Sequence, residues 1–365
     1  MIKKVVLIDS EKSIIFNGKL KGFIEMLSRS FDILRISQNQ IDTILFEETN
    51  SKHFIFIEPR QKLDYDLFQK INLDKFIVLF SCNHFMVTNF ATKSFIKNNH
   101  QKLIFQVENI ASLASIKYFF EIPDKDSIKY ILVPPVLDTF ESNINLKNIL
   151  LTRKINNDIM IAGAIYVHQW YKDNYLGFWW QNKFNVNDYF PNRKLLYDYS
   201  IRFKAFNNYS RIIFRNDGIF WYLNKISSFF KFDFWFKEKV NYYNLNLNDG
   251  LINSSFFWGV NDIFGVLPQI CFQAMKAGCV IVGTNSSTFK SLGFIDGINY
   301  ISIGSDFSID NIEKSINRIN QLHENEIRTL SRNSSMLVEK IELDCECRIS
   351  EFYNSSLFNS RLVDF

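Results

Sequence analysis

Side chains capable of acid–base chemistry stand at the ends of apolar segments in the first third of the chain. Asp9 closes KVVLID, His84 follows KFIVLFS, and Glu108 closes KLIFQVE. Because parallel strands end at a common edge of their sheet, we expect these side chains to share one edge, together with Asn17 and Gly18. An imidazole or carboxylate there could take a proton from a substrate hydroxyl or hold it in place. We predict His84 and Glu108 as catalytic candidates; a structural role for each is the alternative.

A second segment with chemical potential is PQICFQAMKAGCVIVGTNSS, residues 268–287. Pro268 suits a first helical turn, and Gly278 can end the helix in the left-handed conformation that costs glycine little. A buried strand and the polar loop TNSS follow. The free N–H groups at a helix N-terminus favour a phosphate. The segment predicts a nucleotide or phosphate pocket, and the alternative is an ordinary helix–strand unit.

Small and basic residues around two later strands could contact a diphosphate. In IAGAIYVHQW, Gly163 leaves room for a close backbone approach, and His168 follows the strand. Arg211 and Arg215 flank RIIF and could neutralise phosphate oxygens in a bidentate manner. The alternative for each arginine is a surface position or a salt bridge.

Two series of apolar segments provide the elements that must position these residues. The predicted strands are 4–9, 32–36, 53–58, 75–81, 102–108 and 129–135, then 158–165, 211–214, 256–260, 279–283 and 299–303. The predicted helices are 19–29, 191–206, 246–254, 268–277 and 309–323. This alternation indicates parallel sheets buried on both faces.

We therefore predict the α/β class, with two Rossmann-like domains facing each other across a cleft that holds the ligands. A polar segment at 141–148 can serve as a linker. We expect domains at 1–148 and 149–340, and a helical segment at 341–365 that packs back across them.

Composition excludes several classes of protein. The chain has 365 residues, 47% of them hydrophobic and 22% charged, which is typical of a folded protein. A net charge of +4 without a dense basic run argues against nucleic-acid binding. The motifs H-E-x-x-H, G-x-S-x-G and G-x-x-x-x-G-K-[ST] do not occur in the sequence, so it offers no support for a zinc protease, a serine hydrolase or a P-loop enzyme.

Cysteine usage and hydropathy predict a cytoplasmic protein. Five cysteines, two of them in apolar runs, suit a reducing compartment better than a disulfide framework. The first ten residues resemble neither a signal peptide nor an anchor, and no segment approaches the length of a spanning helix. Residues 216–243 alternate aromatic residues with lysines, so they predict either peripheral membrane contact or core rings with snorkelling lysines.

The segment from NLNDGLINSSFFWG to PQICFQAMKAGCVIVGTNSSTFKSLGFIDGINYISI resembles the donor-binding half of GT-B glycosyltransferases of the group-1 (GT4-like) superfamily. The matching pieces are Asn253-Ser254-Ser255, Gln273-Ala274-Met275 with Gly278, the loop from Thr284 to Ser287, and Gly293-Phe294 through Gly297 to Asn299-Tyr300. The clear resemblance covers about 60 residues. It implies the GT-B fold and a nucleotide-sugar site in the second domain.

The resemblance also has one departure. The family often carries two glutamates eight positions apart, and the second holds ribose hydroxyls. Here Gln273 takes the second place and Gly265 the first. A glutamine can bind hydroxyls, but without the strength of a charged acceptor.

The resemblance implies a glycosyltransferase that needs neither a cofactor nor a metal, acts on a nucleotide-sugar donor and a glycan or glycolipid acceptor, and serves surface polysaccharide assembly such as lipopolysaccharide or capsule. The alternative is a GT-B protein that binds a nucleotide sugar or glycan without efficient catalysis. The predicted donor-binding residues are Gly163, His168, Arg211, Arg215, Ser254, Gln269, Gln273, Thr284, Asn285, Ser286 and Ser287. The predicted acceptor-binding residues are Asp9, Asn17 and Gly18.

Overall fold

The computed structural model describes the chain in several stretches. They are residues 4–8, 25, 28, 32–36, 53–57, 73, 76–81, 90–110, 112–134, 155–157, 159–165, 192, 195–196, 199, 212–216, 247–261 and 267–358. The chain divides into two compact units. One is Met1–Asp138 with Glu342–Phe365, and the other is Thr139–Ile341. Our boundaries after residues 148 and 340 rest on sequence pattern and stay predictions.

The first unit contains a six-stranded parallel sheet. Its strands are β1 Lys4–Ile8, β2 Asp32–Ile36, β3 His53–Ile57, β4 Phe76–Ser81, β5 Ile104–Val107 and β6 Lys129–Leu132. They run in the order β2-β1-β3-β4-β5-β6, and every pair is parallel. Helices α1 Phe90–Asn99 and α2 Ser112–Phe119 connect the last three strands.

The second unit contains a five-stranded parallel sheet with the equivalent order. Its strands are β7 Ile159–Ile165, β8 Ile212–Asn216, β9 Phe256–Trp258, β10 Val280–Gly283 and β11 Tyr300–Ser302. They run in the order β11-β10-β9-β7-β8, and every pair is parallel. Its helices are α3 Leu247–Asn253, α4 Gln269–Lys276, α5 Ser287–Ser291 and α6 Ile309–Asn320. Helix α7 Glu324–Phe358 begins in this unit, and its residues from Glu342 onward belong to the first. In both sheets the first strand lies inside the sheet, the second strand lies on one side of it, and the later strands follow on the other side.

These findings confirm the predicted α/β class and its parallel sheets. All eleven predicted strands are present within a few residues of their expected ends. Strands β9 and β10 are buried along their whole length, which explains why their apolar runs are continuous rather than alternating. Among the described residues, no helix combines the length and the apolarity needed to cross a bilayer. Apart from Asn216 at the end of β8, the segment predicted for membrane contact lies outside the described residues.

The turn between α4 and β10 is closed by a glycine in the left-handed conformation. Gly278 has φ +81°. The Cys279 N–H donates to the Ala274 carbonyl at 2.8 Å and the Gly278 N–H to the Met275 carbonyl at 2.9 Å, which is a Schellman motif. The predicted role of Gly278 in ending the helix is confirmed.

Helix α7 holds the same turn from outside. The Ser334 hydroxyl donates to the Cys279 carbonyl at 3.1 Å, and the Ser331 hydroxyl donates to the Gly278 carbonyl. Both serines are buried, so their hydroxyls would be costly to leave unpaired. The turn that directs the chain from α4 into β10 is therefore fixed by its own backbone and by α7.

We expect Gly278→Ala to lower the free energy of unfolding by about 1–2 kcal/mol, because a Cβ at a positive φ meets the following carbonyl oxygen. Gly278→Asn should cost less, since asparagine visits this conformation more readily. Denaturant unfolding of the three proteins measures the difference. Equal stability of the glycine and alanine forms would contradict the role given to this turn.

Candidate functional site

The carboxyl ends of β9 and β10 bring two polar segments together. Beyond β9 the chain runs through Gly259 to Asn261, and beyond β10 it runs through Thr284 to Ser287. The Gly259 N–H donates to the Val282 carbonyl at 2.8 Å, so the two strands stay side by side to their ends. Further out, Asn261 Nδ2 donates to Ser286 Oγ at 3.3 Å.

These strand ends lie next to the switch point of the sheet, which falls between β7 and β9 because β8 lies on the far side of β7. In open parallel sheets, ligands bind outside the carboxyl ends of the strands at such a point. Thr284, Asn285, Ser286 and Ser287 all lie here, as the sequence predicted, and their side chains are half-buried or exposed.

Two glycines shape the floor beneath these polar residues. A Cβ on Gly283 would lie 2.9 Å from Phe289 Cε1 and closer still to Cζ, and a Cβ on Gly259 would lie 2.5 Å from Ile281 Cγ2. The Phe289 ring of α5 therefore packs over a place that a larger residue would fill. Sequence reasoning missed both glycines, because the side chains that require them belong to later elements: Phe289 for Gly283 and Ile281 for Gly259.

The Phe289 ring is itself held by other aromatic rings. It stacks on Tyr300 with the centroids 5.4 Å apart and meets Phe294 edge-on at 4.9 Å. Tyr300 is 2% exposed, and burial raises the pKa of its phenol, so it stays neutral at physiological pH. The floor of the site is thus an apolar, uncharged layer.

Helix α4 starts at this edge without a side-chain cap. Pro268 is its N-cap residue and has no side chain to bond the first N–H groups. The Cys271 N–H turns to the Pro268 carbonyl at 2.9 Å, and the N–H group of Ile270 precedes the first intrahelical bond. This group and the helix dipole favour an anion at this end. The structure places Pro268 one position before the helix, rather than in its first turn as the sequence predicted.

Gln273 lies one turn further along α4, on the same helix face as Gln269. Both are half-buried, whereas Cys271, Phe272 and Met275 on the other side are fully buried. Within the described part of the chain, the Gln273 side chain makes no hydrogen bond or ion pair. Its amide is therefore available to a ligand.

The structure does not bring Ser254 to this edge. Ser254 precedes β9 and therefore lies at the opposite, amino end of the strand. It is 1% exposed, and its hydroxyl donates to the Gly250 carbonyl at 2.9 Å. In this structure the Ser254 hydroxyl is used to finish α3.

The remaining predicted residues fall in three groups. Gly163 lies inside β7 and Arg215 inside β8, each near the carboxyl end of its strand. Glu108 directly follows β5 of the first sheet and is half-buried, at the strand end where the sequence placed it. Outside the described residues lie Asp9, Asn17, Gly18, His84, His168 and Arg211.

Asn261 also lies at these strand ends, although it was not among the predicted donor-binding residues. It follows FFWGV in the same way that TNSS follows CVIVG, so the rule that selected the second loop would have selected it too. Its amide is joined to Ser286 across the two strand ends, which makes it part of the same cluster.

Comparison with known proteins gives structural relatives only. No family model matches the sequence. No curated protein matches it either.

Among solved structures, the pneumococcal O-GlcNAc transferase GtfA, in complex with UDP and GlcNAc, aligns over 88% of this chain at 11% identity and a TM-score of 0.50. This chain spans only 60% of the GtfA chain. The N-terminal domain of Candida albicans trehalose-6-phosphate phosphatase aligns over 96% of both chains at 8% identity and a TM-score of 0.56. Anabaena HepE, in complex with UDP and glucose, aligns over 97% of this chain and 100% of its own at 8% identity and a TM-score of 0.51. At such identities the likeness shows the fold: the chain has the GT-B fold, built from two Rossmann-like units.

Proposed function

We propose that the protein is a glycosyltransferase that moves a sugar from a nucleotide-sugar donor to a glycan acceptor. The observation that carries the proposal is the edge of the second sheet. There, neutral polar side chains at the ends of β9 and β10 lie beside the switch point, and the uncapped N-terminus of α4 starts at the same edge. A nucleotide sugar combines the two groups this edge suits, a diphosphate and rings rich in hydroxyls.

The donor is proposed to lie along α4 and the strand ends. The diphosphate would accept a hydrogen bond from the N–H group of Ile270 at the start of α4, and the ribose would meet the amide of Gln273. Arg211 and Arg215, with Gly163 and His168, are proposed to assist the diphosphate. The solved structures of GtfA and HepE contain UDP, which makes UDP the first nucleotide to test.

The chemistry is proposed to need no metal, because helix N–H groups and arginines can offset the charge of the departing diphosphate. Closure of the site would exclude water from the activated anomeric carbon. Two stereochemical outcomes stay open. With inversion, His84 would take the proton of the acceptor hydroxyl; with retention, the leaving phosphate would take it and His84 would position the hydroxyl.

The acceptor is proposed to bind the first unit, with Asp9, Asn17, Gly18 and Glu108 among its contacts. A growing surface polysaccharide, such as lipopolysaccharide or capsule, is the proposed acceptor class. A protein working on such an acceptor would act in the cytoplasm at the inner face of the membrane, with residues 216–243 as the proposed contact.

A second candidate function is binding without efficient turnover. Gln273 favours it, because an amide holds ribose hydroxyls less strongly than a carboxylate does. The two candidates share the same ligand and differ only in whether product forms.

Wild-type protein should be stabilised by UDP-, GDP-, CMP- or ADP-linked sugars, because a ligand that binds only the folded state raises the unfolding midpoint. At one hundred times the dissociation constant the stabilisation is about 2.7 kcal/mol, which corresponds to several degrees. Thermal shift identifies the nucleotide, and donor hydrolysis or transfer with acceptor extracts measures turnover, with and without EDTA. Binding with no turnover on any donor would favour the second candidate over the enzyme.

Gln273→Ala should weaken nucleotide binding by about 3- to 10-fold, the value of one neutral hydrogen bond. Gln273→Glu should bind more tightly than wild type, because a carboxylate makes charge-assisted bonds to ribose hydroxyls. Titration calorimetry with UDP measures both. Gln321→Ala, an exposed glutamine beyond α6, is the matched control. Affinities unaffected by either change at 273 would place the ribose elsewhere.

His84→Ala is expected to lower kcat by about 10²- to 10⁴-fold if the enzyme inverts, which is the usual contribution of a general base. The acidic limb of the pH–rate profile should then disappear, since the imidazole must be neutral to accept a proton. Retained turnover with an unchanged profile would exclude His84 as the base.

A further inference from the structure

The amide of Asn261 is held on one side and free on the other. Its Nδ2 donates to Ser286 Oγ at 3.3 Å. Its Oδ1 is buried and, among the described residues, accepts no hydrogen bond. The residue as a whole is half-buried, so the side chain lies at the boundary of the site rather than in the core.

Ser286 binds the Nδ2 end of this amide. It is the N-cap residue of α5, a position from which a serine hydroxyl usually accepts a bond from the helix N–H groups. In this structure its side chain makes no capping bond and instead accepts from Asn261. The hydroxyl therefore makes a contact between the two strand ends instead of a helix cap, and with Nδ2 on Ser286 the Oδ1 atom faces away from Ser286.

A buried carbonyl oxygen without a donor is unfavourable by an amount comparable to a lost hydrogen bond. Relief comes from a ligand that brings an O–H or N–H group. A phosphate oxygen cannot do so, because it carries no proton to donate and is repelled by the amide oxygen. The segments WGVN and GTNSS contain no basic residue, and the acidic residue Asp262 directly follows Asn261, which suits a neutral ring rather than an anion.

We propose that Asn261 is a specificity residue that accepts a hydrogen bond from a hydroxyl of the transferred sugar. This inference rests on the proposed function. In that arrangement the diphosphate lies at the start of α4 and the ribose at Gln273, one turn further along the helix. The strand ends are then left for the group on the other side of the diphosphate, which is the sugar.

The test compares probes that differ only in the sugar. Titration calorimetry is carried out on the full chain with UDP, UDP-glucose and UDP-GlcNAc, and with GDP-mannose and ADP-glucose beside GDP and ADP. We expect Asn261→Ala to lower the affinity for the sugar nucleotide by about 3- to 10-fold and to leave the affinity for the matching free nucleotide within about 2-fold of wild type. Asn320→Ala, an exposed asparagine at the end of α6, is the control and should change neither value.

Asn261→Asp tests the orientation of the amide. An aspartate keeps an acceptor toward the ligand, and the Ser286 hydroxyl can reverse and donate to it. This variant should therefore keep the wild-type ratio between the dissociation constants of free and sugar-bearing nucleotide, even if its charge weakens the binding of both. The opposite orientation, with Nδ2 toward the ligand, predicts that the ratio is lost in both variants.

Each outcome decides the proposal. An unchanged ratio in Asn261→Ala overturns the sugar contact while leaving nucleotide binding intact. Equal loss of affinity for free and sugar-bearing nucleotide would mean that Asn261 contacts the nucleoside, which also overturns the proposal. Loss of the ratio in the aspartate variant overturns the acceptor role. Failure of the wild type to bind any of these nucleotides overturns the proposed function, and the inference with it.

Discussion

The packing of one phenylalanine ring on two glycines determines how the second sheet ends. Phe289 covers the places where Gly259 and Gly283 have no side chain, and a Cβ at either glycine would collide with a neighbouring side chain. Because the ring can approach so closely, α5 begins directly over the ends of β9 and β10. Its N-cap residue, Ser286, is thereby brought within hydrogen-bond distance of Asn261. The polar edge of the site depends on this apolar contact below it.

The strands could be predicted because their signal is local. Segments such as CVIVG and FFWGV are continuously apolar, as strands buried on both faces must be, and their ends fall where polar or glycine residues interrupt the run. Gly278 could be predicted for the same reason, since a glycine directly after a helical pattern has one common use. The position of Thr284 to Ser287 beyond a strand end could be predicted because the loop directly follows an apolar run, and their binding role stays a prediction.

The rest of the site depends on contacts between distant parts of the chain. Nothing near Gly259 in the sequence indicates that Ile281 requires a glycine there. The link between Asn261 and Ser286 joins residues that follow different strands, so it emerges only from the sheet order. Ser254 was selected from a motif resemblance, and the structure places it before β9, at the amino edge of the sheet.

Helix α7 has a consequence for the order in which the protein can form. Residues up to Ile341 belong to the second unit, and Glu342–Phe365 belong to the first, which otherwise ends at Asp138. On the ribosome, domains usually fold in order from the N-terminus. Here the first unit lacks its last segment until more than two hundred further residues have been made. The unit whose synthesis begins first is therefore the one completed last, after the second unit has all of its own chain.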